Sequence, residues 1–222
     1  MQQSQRNSSV KQESTACEYK KNLGYFIIKR IIDIIGALCG IILISPVMIV
    51  VGIWIKLDSK GPVFFAQSRV GKDGTQFKMY KFRSMCSDAE CLLKNLQSEN
   101  EMSGPMFKIK DDPRITKVGK FVRKTSIDEL PQLFNILRGH MSLVGPRPSL
   151  PKEVVQFTSF QRQRLIAKPG LTCYWQVRGR NDIPFEEWME MDVEYLIDRN
   201  TLVDIGLIFR TVGVLFGDEK AS

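Results

Sequence analysis

One histidine, His140, is all the chain offers among its 222 residues. With no second imidazole, a Ser-His-Asp constellation has no histidine to spare. Five cysteines (Cys17, Cys39, Cys86, Cys91, Cys173) form no CxxC pair, which removes the usual structural zinc patterns. Their odd number and irregular spacing fit free thiols in a reducing compartment. No P-loop, no GxGxxG and no internal repeat occurs, so the common nucleotide fingerprints are missing. Charge is missing too, over a long stretch: none of the 22 residues from Ile34 to Ile55 is ionisable as an acid or base of the Asp, Glu, Lys or Arg kind.

That uncharged run, at ~1.5 Å per residue, makes a helix of roughly 33 Å, one hydrocarbon thickness. Few core helices of soluble proteins are apolar on every face for so long. The run begins too late for a secretory signal and shows no small-residue cleavage site. Pro46 lies near its middle. The proline has no N–H for the carbonyl of Ile42 and predicts a kink, and Ser45 is placed to satisfy the freed carbonyl. Cations flank the run on both sides: Lys20, Lys21, Lys29 and Arg30 before it, Lys56, Lys60, Arg69 and Lys72 after it. Both flanks therefore ask for the cytoplasmic side. A re-entrant segment, broken at Ser45–Pro46, satisfies them; a single kinked span with an outside domain remains the alternative.

The chain divides into a polar, disordered lead-in (1–23), the membrane segment (24–59) and a catalytic or binding domain (60–218). Its net charge of +8 suits an anionic partner: a bilayer surface, a phosphorylated substrate or nucleic acid. Val63–Ser68 and Gln76–Arg83 flank the turn signal Gly71-Lys72-Asp73-Gly74 and predict a β-hairpin carrying Arg69, Lys72, Lys78, Lys81 and Arg83. These cations either face an anion or are simply solvated. Residues 87–103 read as an exposed helix, and Ile115, Val118, Phe121 and Val122 as a helical apolar stripe.

In "KTSIDELPQLFNIL", residues 124–137, Leu130, Leu133, Phe134 and Leu137 mark a helix face. Ser126-Ile127-Asp128-Glu129 matches a capping box, with Asp128 at the positive end of the dipole. Pro131 then falls where its absent N–H is needed, unless the helix starts at Leu130–Pro131. In that case Asp128 and Glu129 stand just outside it, available to solvent, metal or substrate. Local pattern leaves capping and chemistry both open. Downstream, Gly145-Pro146-Arg147-Pro148 holds Arg147 extended, as a rigid phosphate clamp or as an exposed residue in a stiff connector. Pro169-Gly170 signals a second turn before Trp175, Arg178 and Arg180, and Leu202–Phe216 is an apolar stretch suited to a core helix or to the bilayer interface.

Four long stretches, "KRIIDIIGALCGIILISPVMIV", "GPVFFAQSRVGKDGTQFKMYKFRSM", "TSIDELPQLFNILRGHMSLVGPRP" and "KPGLTCYWQVRGRN", together resemble the bacterial sugar transferase family, the monotopic phosphoglycosyl transferases. The likeness runs from about Lys29 to about Phe216. It implies an α+β, mainly helical fold: a re-entrant membrane helix-break-helix, then a small cytoplasmic catalytic domain with a β-hairpin and amphipathic interfacial helices. It implies transfer of a sugar-1-phosphate, of a hexose such as glucose or galactose, from a UDP-sugar to undecaprenyl phosphate with release of UMP. The product would start a surface glycan.

The family's acidic dyad falls on Asp128 and Glu129, making Asp128 the nucleophile of an aspartyl phosphosugar intermediate and both residues ligands of Mg²⁺. Pro146, Arg147 and Pro148 fall on its nucleotide-binding motif. Lys81, Arg83, Arg114 and Arg180 are the further cations expected at the substrate. Undecaprenyl phosphate, UDP-sugar and membrane lipids are the implied partners, with no nucleic acid and with a homo-oligomer possible. The implied place is the bacterial cytoplasmic (inner) membrane, catalytic domain on the cytoplasmic face. His140 stands where the family more often has Asp, and Cys173 where it more often has Gly. The opposing reading is a non-catalytic, membrane-anchored basic protein binding anionic lipid or nucleic acid.

Overall fold

The computed structural model describes residues 23–93, 96, 109, 111–179 and 183–217. Its elements are α1 (Leu23–Asp58), β1 (Phe64–Val70), β2 (Gln76–Phe82), α2 (Ala89–Leu93), α3 (Lys117–Lys124), α4 (Gln132–Leu137) and β3 (Ser142–Val144). They continue with α5 (Pro151–Val154), α6 (Ser159–Arg162), β4 (Gly170–Thr172), α7 (Tyr174–Arg178), α8 (Phe185–Asp198) and α9 (Thr201–Gly217). Helix predominates, with two small two-stranded sheets, so the α+β, mainly helical expectation holds. The lead-in and most of the exposed helix expected over 87–103 lie outside the described residues.

Helix α1 is the one described helix long and apolar enough to cross a membrane. Its 36 residues correspond to about 54 Å of axis. The helix runs on through Pro46, so the break expected at Ser45–Pro46 does not interrupt it. The Ser45 hydroxyl donates to the carbonyl of Ile42 at 2.9 Å, filling the gap the proline leaves. Ile42 and Leu43 are 69% and 77% exposed, and Ile49, Val50 and Ile53 are similarly uncovered. Apolar surface on that scale needs a covering that the protein itself does not supply.

The rest of α1 is held by the domain, at both ends. In its first half Ala37 packs with Met79, Leu133, Ile136 and Met141. Asp33 accepts from the Ser142 hydroxyl (2.9 Å) and the Leu143 N–H (2.8 Å). Arg30 donates to the carbonyls of Ile136 (2.7 Å) and Leu137 (2.8 Å), closing the C-terminal end of α4. In its second half Val51 and Ile55 pack with Phe82, Val118 and Val122. Each such buried aliphatic contributes about 1.5–3 kcal/mol.

Strands β1 and β2 pair antiparallel, Phe64 opposite Phe82 and Val70 opposite Gln76. The turn expected at Gly71–Gly74 forms, with Asp73 (φ 55°) and Gly74 (φ 79°) in the left-handed region. The hairpin's cations do not share one face. Strand alternation sets Phe77, Met79 and Lys81 on one side, where Phe77 and Met79 pack on Leu133 and Ile136 of α4. Phe82 faces the other way, against α1 and α3.

Pro169-Gly170 is not a turn. Gly170 opens β4, which pairs parallel with β3, Ser142 opposite Gly170 and Val144 opposite Thr172. A Cβ at Gly145 would strike the backbone of Lys168, and one at Gly170 the backbone of Val144 and Gly145, so glycine is required by close approach. Cys173 is fully buried beside Val144, Tyr174, Tyr195 and Leu207 and shapes no open turn. Burial pushes its thiol well up. His140 stacks on Phe77, ring centroids 5.7 Å apart. In helix α9 Leu207 is in the core, while Leu202 and Phe209 are uncovered.

Candidate active site

The two carboxylates occupy a single turn between α3 and α4. Ser126 ends α3 in a left-handed conformation (φ 56°, ψ 13°), its N–H bonded to the Arg123 carbonyl. Only glycine, and occasionally a short polar residue, takes this region readily. A 3₁₀ turn over Ile127–Glu129 follows, and α4 starts after Pro131. The capping box is absent: the Ser126 side chain accepts no cap bond, and the Glu129 side chain turns to two cations. The proline decided this, because a helix begun at Ser126 would have required its missing N–H. Of the predicted apolar face, Leu133 is buried, Leu130 and Leu137 are half-buried and Phe134 is 38% exposed; Ile136 is in the core instead.

Lys81 reaches the turn from β2. Its Nζ lies 2.7 Å from Glu129 Oε1 and 3.4 Å from Asp128 Oδ2. Sequence pattern overlooked the residue that sets this alignment. Asn135, fully buried on α4, accepts from the Tyr80 N–H (2.9 Å) and donates to the Lys78 carbonyl (2.7 Å). It thereby fixes β2 one residue before Lys81. Arg147 approaches Glu129 from the opposite chain segment, Nη1 at 3.1 Å from Oε1, with its guanidinium 5.6 Å from the centre of the Trp175 ring.

The Pro-Arg-Pro loop is anchored on three sides, with Pro146 and Pro148 buried and Arg147 half-buried. Pro146 O accepts from the Gly170 N–H at 2.9 Å, and Pro148 O accepts from Arg69 at 3.0 Å. Arg147 O accepts from Arg164 at 2.7 Å. Arg164 is itself buried, bonded to the Ser149 hydroxyl (2.8 Å) and paired with Asp192 (2.6 Å). Burial pushes the Asp192 carboxyl up to about 6 against the pull of Arg164. The fixed φ of two prolines is thus reinforced by a buried polar frame, and Arg147 is presented rigidly.

Not every expected cation converges. Arg83 turns away and binds the end of α1, donating to the carbonyls of Ser59 (2.7 Å) and Lys60 (2.9 Å). Arg114 pairs with Asp112 at 2.6 Å. Arg180 lies outside the described residues. Two cations outside the expected substrate set, Arg69 of the hairpin and Arg123, are closer to the chemistry. Arg69 backs Arg147, and burial followed by repulsion from Arg147 pulls its guanidinium down to about 10. Arg123, bonded to the Ser84 hydroxyl, lends its field to Asp128. Of the two, Arg69 reads in the sequence as a hairpin cation, facing an anion or solvated, and Arg123 carries no sequence signal.

The dyad is electrostatically unequal. Burial raises the Asp128 carboxyl; Lys81 opposes that and Glu129 reinforces it. Burial works against Glu129 too, but Lys81 and Arg147 outweigh it and hold its carboxyl well below the usual range. Glu129 therefore carries the firm negative charge, and Asp128 is the poised group of a coupled pair. Among the described residues no cluster of three His, Cys, Asp or Glu forms a metal cage. Two adjacent carboxylates without a third ligand fit Mg²⁺, which commonly takes one or two carboxylates and completes its shell with water and substrate phosphate.

The sequence as a whole is similar to several known proteins. The galactosyl transferase CpsE of Streptococcus agalactiae serotype III (strain NEM316) is 48% identical over 192 residues, 86% of this chain and 42% of that protein. The UDP-glucose:undecaprenyl-phosphate glucose-1-phosphate transferase of Escherichia coli (strain K12) is 38% identical, over 88% of this chain and 41% of its own length. The chain thus spans about two fifths of these longer relatives. The exopolysaccharide production protein ExoY of Sinorhizobium fredii (strain NBRC 101917 / NGR234) is 37% identical over 83% of both chains. Residues 24–218, from the second residue of α1 to the end of α9, match the family described as Bacterial sugar transferase, and the chain belongs to that family.

Proposed function

We propose that the protein transfers a sugar-1-phosphate from a UDP-sugar to undecaprenyl phosphate, releasing UMP, and so begins assembly of an exopolysaccharide or capsule. The observation that carries the reading is the buried Asp128, joined to Glu129 by one lysine, with a rigidly held arginine on Glu129. A carboxylate attacks phosphorus without a general base, which suits a chain with a single histidine. An Asp128 oxygen attacks the sugar-bearing phosphorus, the bond to the UMP oxygen breaks, and UMP leaves. A phosphate oxygen of the lipid then attacks the same phosphorus, the bond to Asp128 breaks, and the carboxylate is regenerated. One site serves a soluble donor and a lipid acceptor in turn.

The residues divide the work by charge. Lys81 lowers the cost of keeping Asp128 ionised next to Glu129, and Arg147 binds the donor's diphosphate in a geometry fixed before it arrives. Asp128 and Glu129 would hold Mg²⁺, whose role is to offset the negative charge of the diphosphate. The names of the E. coli and S. agalactiae relatives favour glucose or galactose as the sugar. An N-acetylated hexosamine is the other candidate, since an Aeromonas hydrophila relative is named for N-acetylgalactosamine.

For the membrane segment we favour the re-entrant form, entering and leaving on the cytoplasmic face. The supporting observation is that both halves of α1 pack on the same domain. Tags at the two ends of the chain should then both be reached only from the cytoplasm. The reaction is tested by incubating membrane-bound protein with Mg²⁺, undecaprenyl phosphate and separate UDP-sugars. UMP from one donor is expected. UDP would mean that the sugar–oxygen bond breaks, which would rule out the phosphosugar intermediate.

A further inference from the structure

A second cationic recess lies at the start of the membrane helix, away from the dyad. It is lined by Lys29 and Arg30 of α1, Lys72 of the hairpin turn, Lys168 before β4, and Arg199 between α8 and α9. Asp33 is the one acidic residue in its wall. Helix α4 separates the two places: Asp128 and Glu129 precede its first turn, while Arg30 closes its last. The proposed donor chemistry therefore does not account for this charge.

The cations differ in how far they are already engaged. Lys29 is paired with Asp204 at 2.8 Å, and Lys72 with Asp73 at 2.6 Å. The bonds of Arg30 go to neutral carbonyls, and it makes no ion pair among the described residues, Asp33 feeling its charge only at longer range. Lys168 makes no hydrogen bond or ion pair among the described residues, although it is not fully exposed. A Cβ built at Gly139 would lie 3.6 Å from Arg30 Nη2 and 3.8 Å from Lys168 Nζ, so the two heads flank one small space. Burial, followed by the charge of Arg30, holds the Lys168 amine below its ordinary value; Lys72 and Lys29 act in the same sense, and Asp33 opposes them.

The surroundings indicate where an anion would come from. Leu23 and Ile27 on α1 and Leu202 and Phe209 on α9 are exposed apolar residues on the two helices that meet here, joined by the Tyr25–Asp204 hydrogen bond of 2.9 Å. Polar heads beside uncovered apolar helix faces are the arrangement of the headgroup layer. The geometry points to a binding site for a phosphate group, that of an anionic membrane phospholipid, held by Lys168 and Arg30 at the α1–α4–β4 junction.

The test uses the purified full chain in detergent and native mass spectrometry with phosphatidylglycerol, and separately with inorganic phosphate. Proteins compared are the parent, Lys168→Ala, Lys168→Arg, and Lys152→Ala as a control for net charge, since Lys152 is exposed on α5. A lysine at an anionic lipid is worth about a fivefold change in affinity. The first phosphatidylglycerol should bind about fivefold more weakly to Lys168→Ala, recover in Lys168→Arg, and be unchanged in Lys152→Ala, with parental melting temperatures throughout. Inorganic phosphate binding with the same dependence on residue 168, without lipid binding, would keep the phosphate site but overturn its assignment to a phospholipid. Equal binding of both probes to all four proteins would overturn the site. Neither result depends on UMP release.

Discussion

Lys81→Met is the most informative single change, because among the described residues Lys81 alone bonds both carboxylates. Methionine keeps the length of the stem and deletes the charge. At an effective dielectric near 20, a cation 3.4 Å from a carboxylate interacts by about 5 kcal/mol before its own desolvation is subtracted. Much of that gross figure is lost to desolvation. A net loss of about 2–3 kcal/mol in favour of ionised Asp128 leaves less of the reactive carboxylate, so the rate should fall by up to roughly a hundredfold, more steeply the lower the pH.

The sign follows from the two carboxyls. Lys81 lowers both, so its removal raises both. Asp128, already raised by burial, then ionises only at higher pH, and the acid limb of the rate profile moves up. Glu129 is the depressed group: its stabilising effect is present above the usual glutamate range of about 4.3 and fades as pH falls below it. At neutral pH the variant should therefore be less stable by about 1–3 kcal/mol, Arg147 remaining as a partner. In acid the difference from the parent should close. UMP release against pH, and thermal melting against pH in the same detergent, measure the two effects. A Lys81→Met rate profile that overlays the parent's, with equal melting at pH 7, would refute the electrostatic role given to Lys81.

Ser126→Gly should be neutral or stabilising by up to about 1 kcal/mol, while Ser126→Val should lose about 2 kcal/mol or more, since a β-branched residue is strained at φ 56°; melting of both variants decides it. Asn135→Ala strips buried partners from the Tyr80 N–H and the Lys78 carbonyl and should cost about 3 kcal/mol. The same variant should release UMP more slowly even below its melting temperature, because Lys81 loses its alignment; a full rate would separate Asn135 from the site. The carboxyl of Asp192 is raised in the folded protein, so its contribution to stability is complete below about pH 4 and is lost as pH rises through about 6. Melting of the parent should show that downward component across this window, and Asp192→Asn should lack it.

What could be read from residue order was the part governed by local rules. The Pro46 gap, and the serine that fills its carbonyl, follow from the missing N–H of proline, whereas the break expected there does not interrupt the helix. The hairpin followed from its turn residues, and the helix start at Pro131 from the same property of proline. What could not be read was partner choice across the chain. Arg83 and Lys81 are two residues apart in a cation-rich stretch, and nothing local says that one closes a membrane helix while the other serves two carboxylates. Sequence offers alternation, which places both on one side; the side chains then diverge because α1 ends near Arg83 and the 3₁₀ turn lies near Lys81.

Gly170 shows the same limit from the other direction. Beside Pro169 it has the sequence of a turn, yet the close approach of Gly145 makes it the first residue of a strand. Asn135 completes the argument. A buried amide on a helix that packs against the core looks like a flaw in the pattern until the unpaired backbone of β2 is set against it. A buried polar group must be satisfied, so an unexplained one on such a helix signals a main chain still to be found. Here that main chain is the one that carries Lys81 to the dyad.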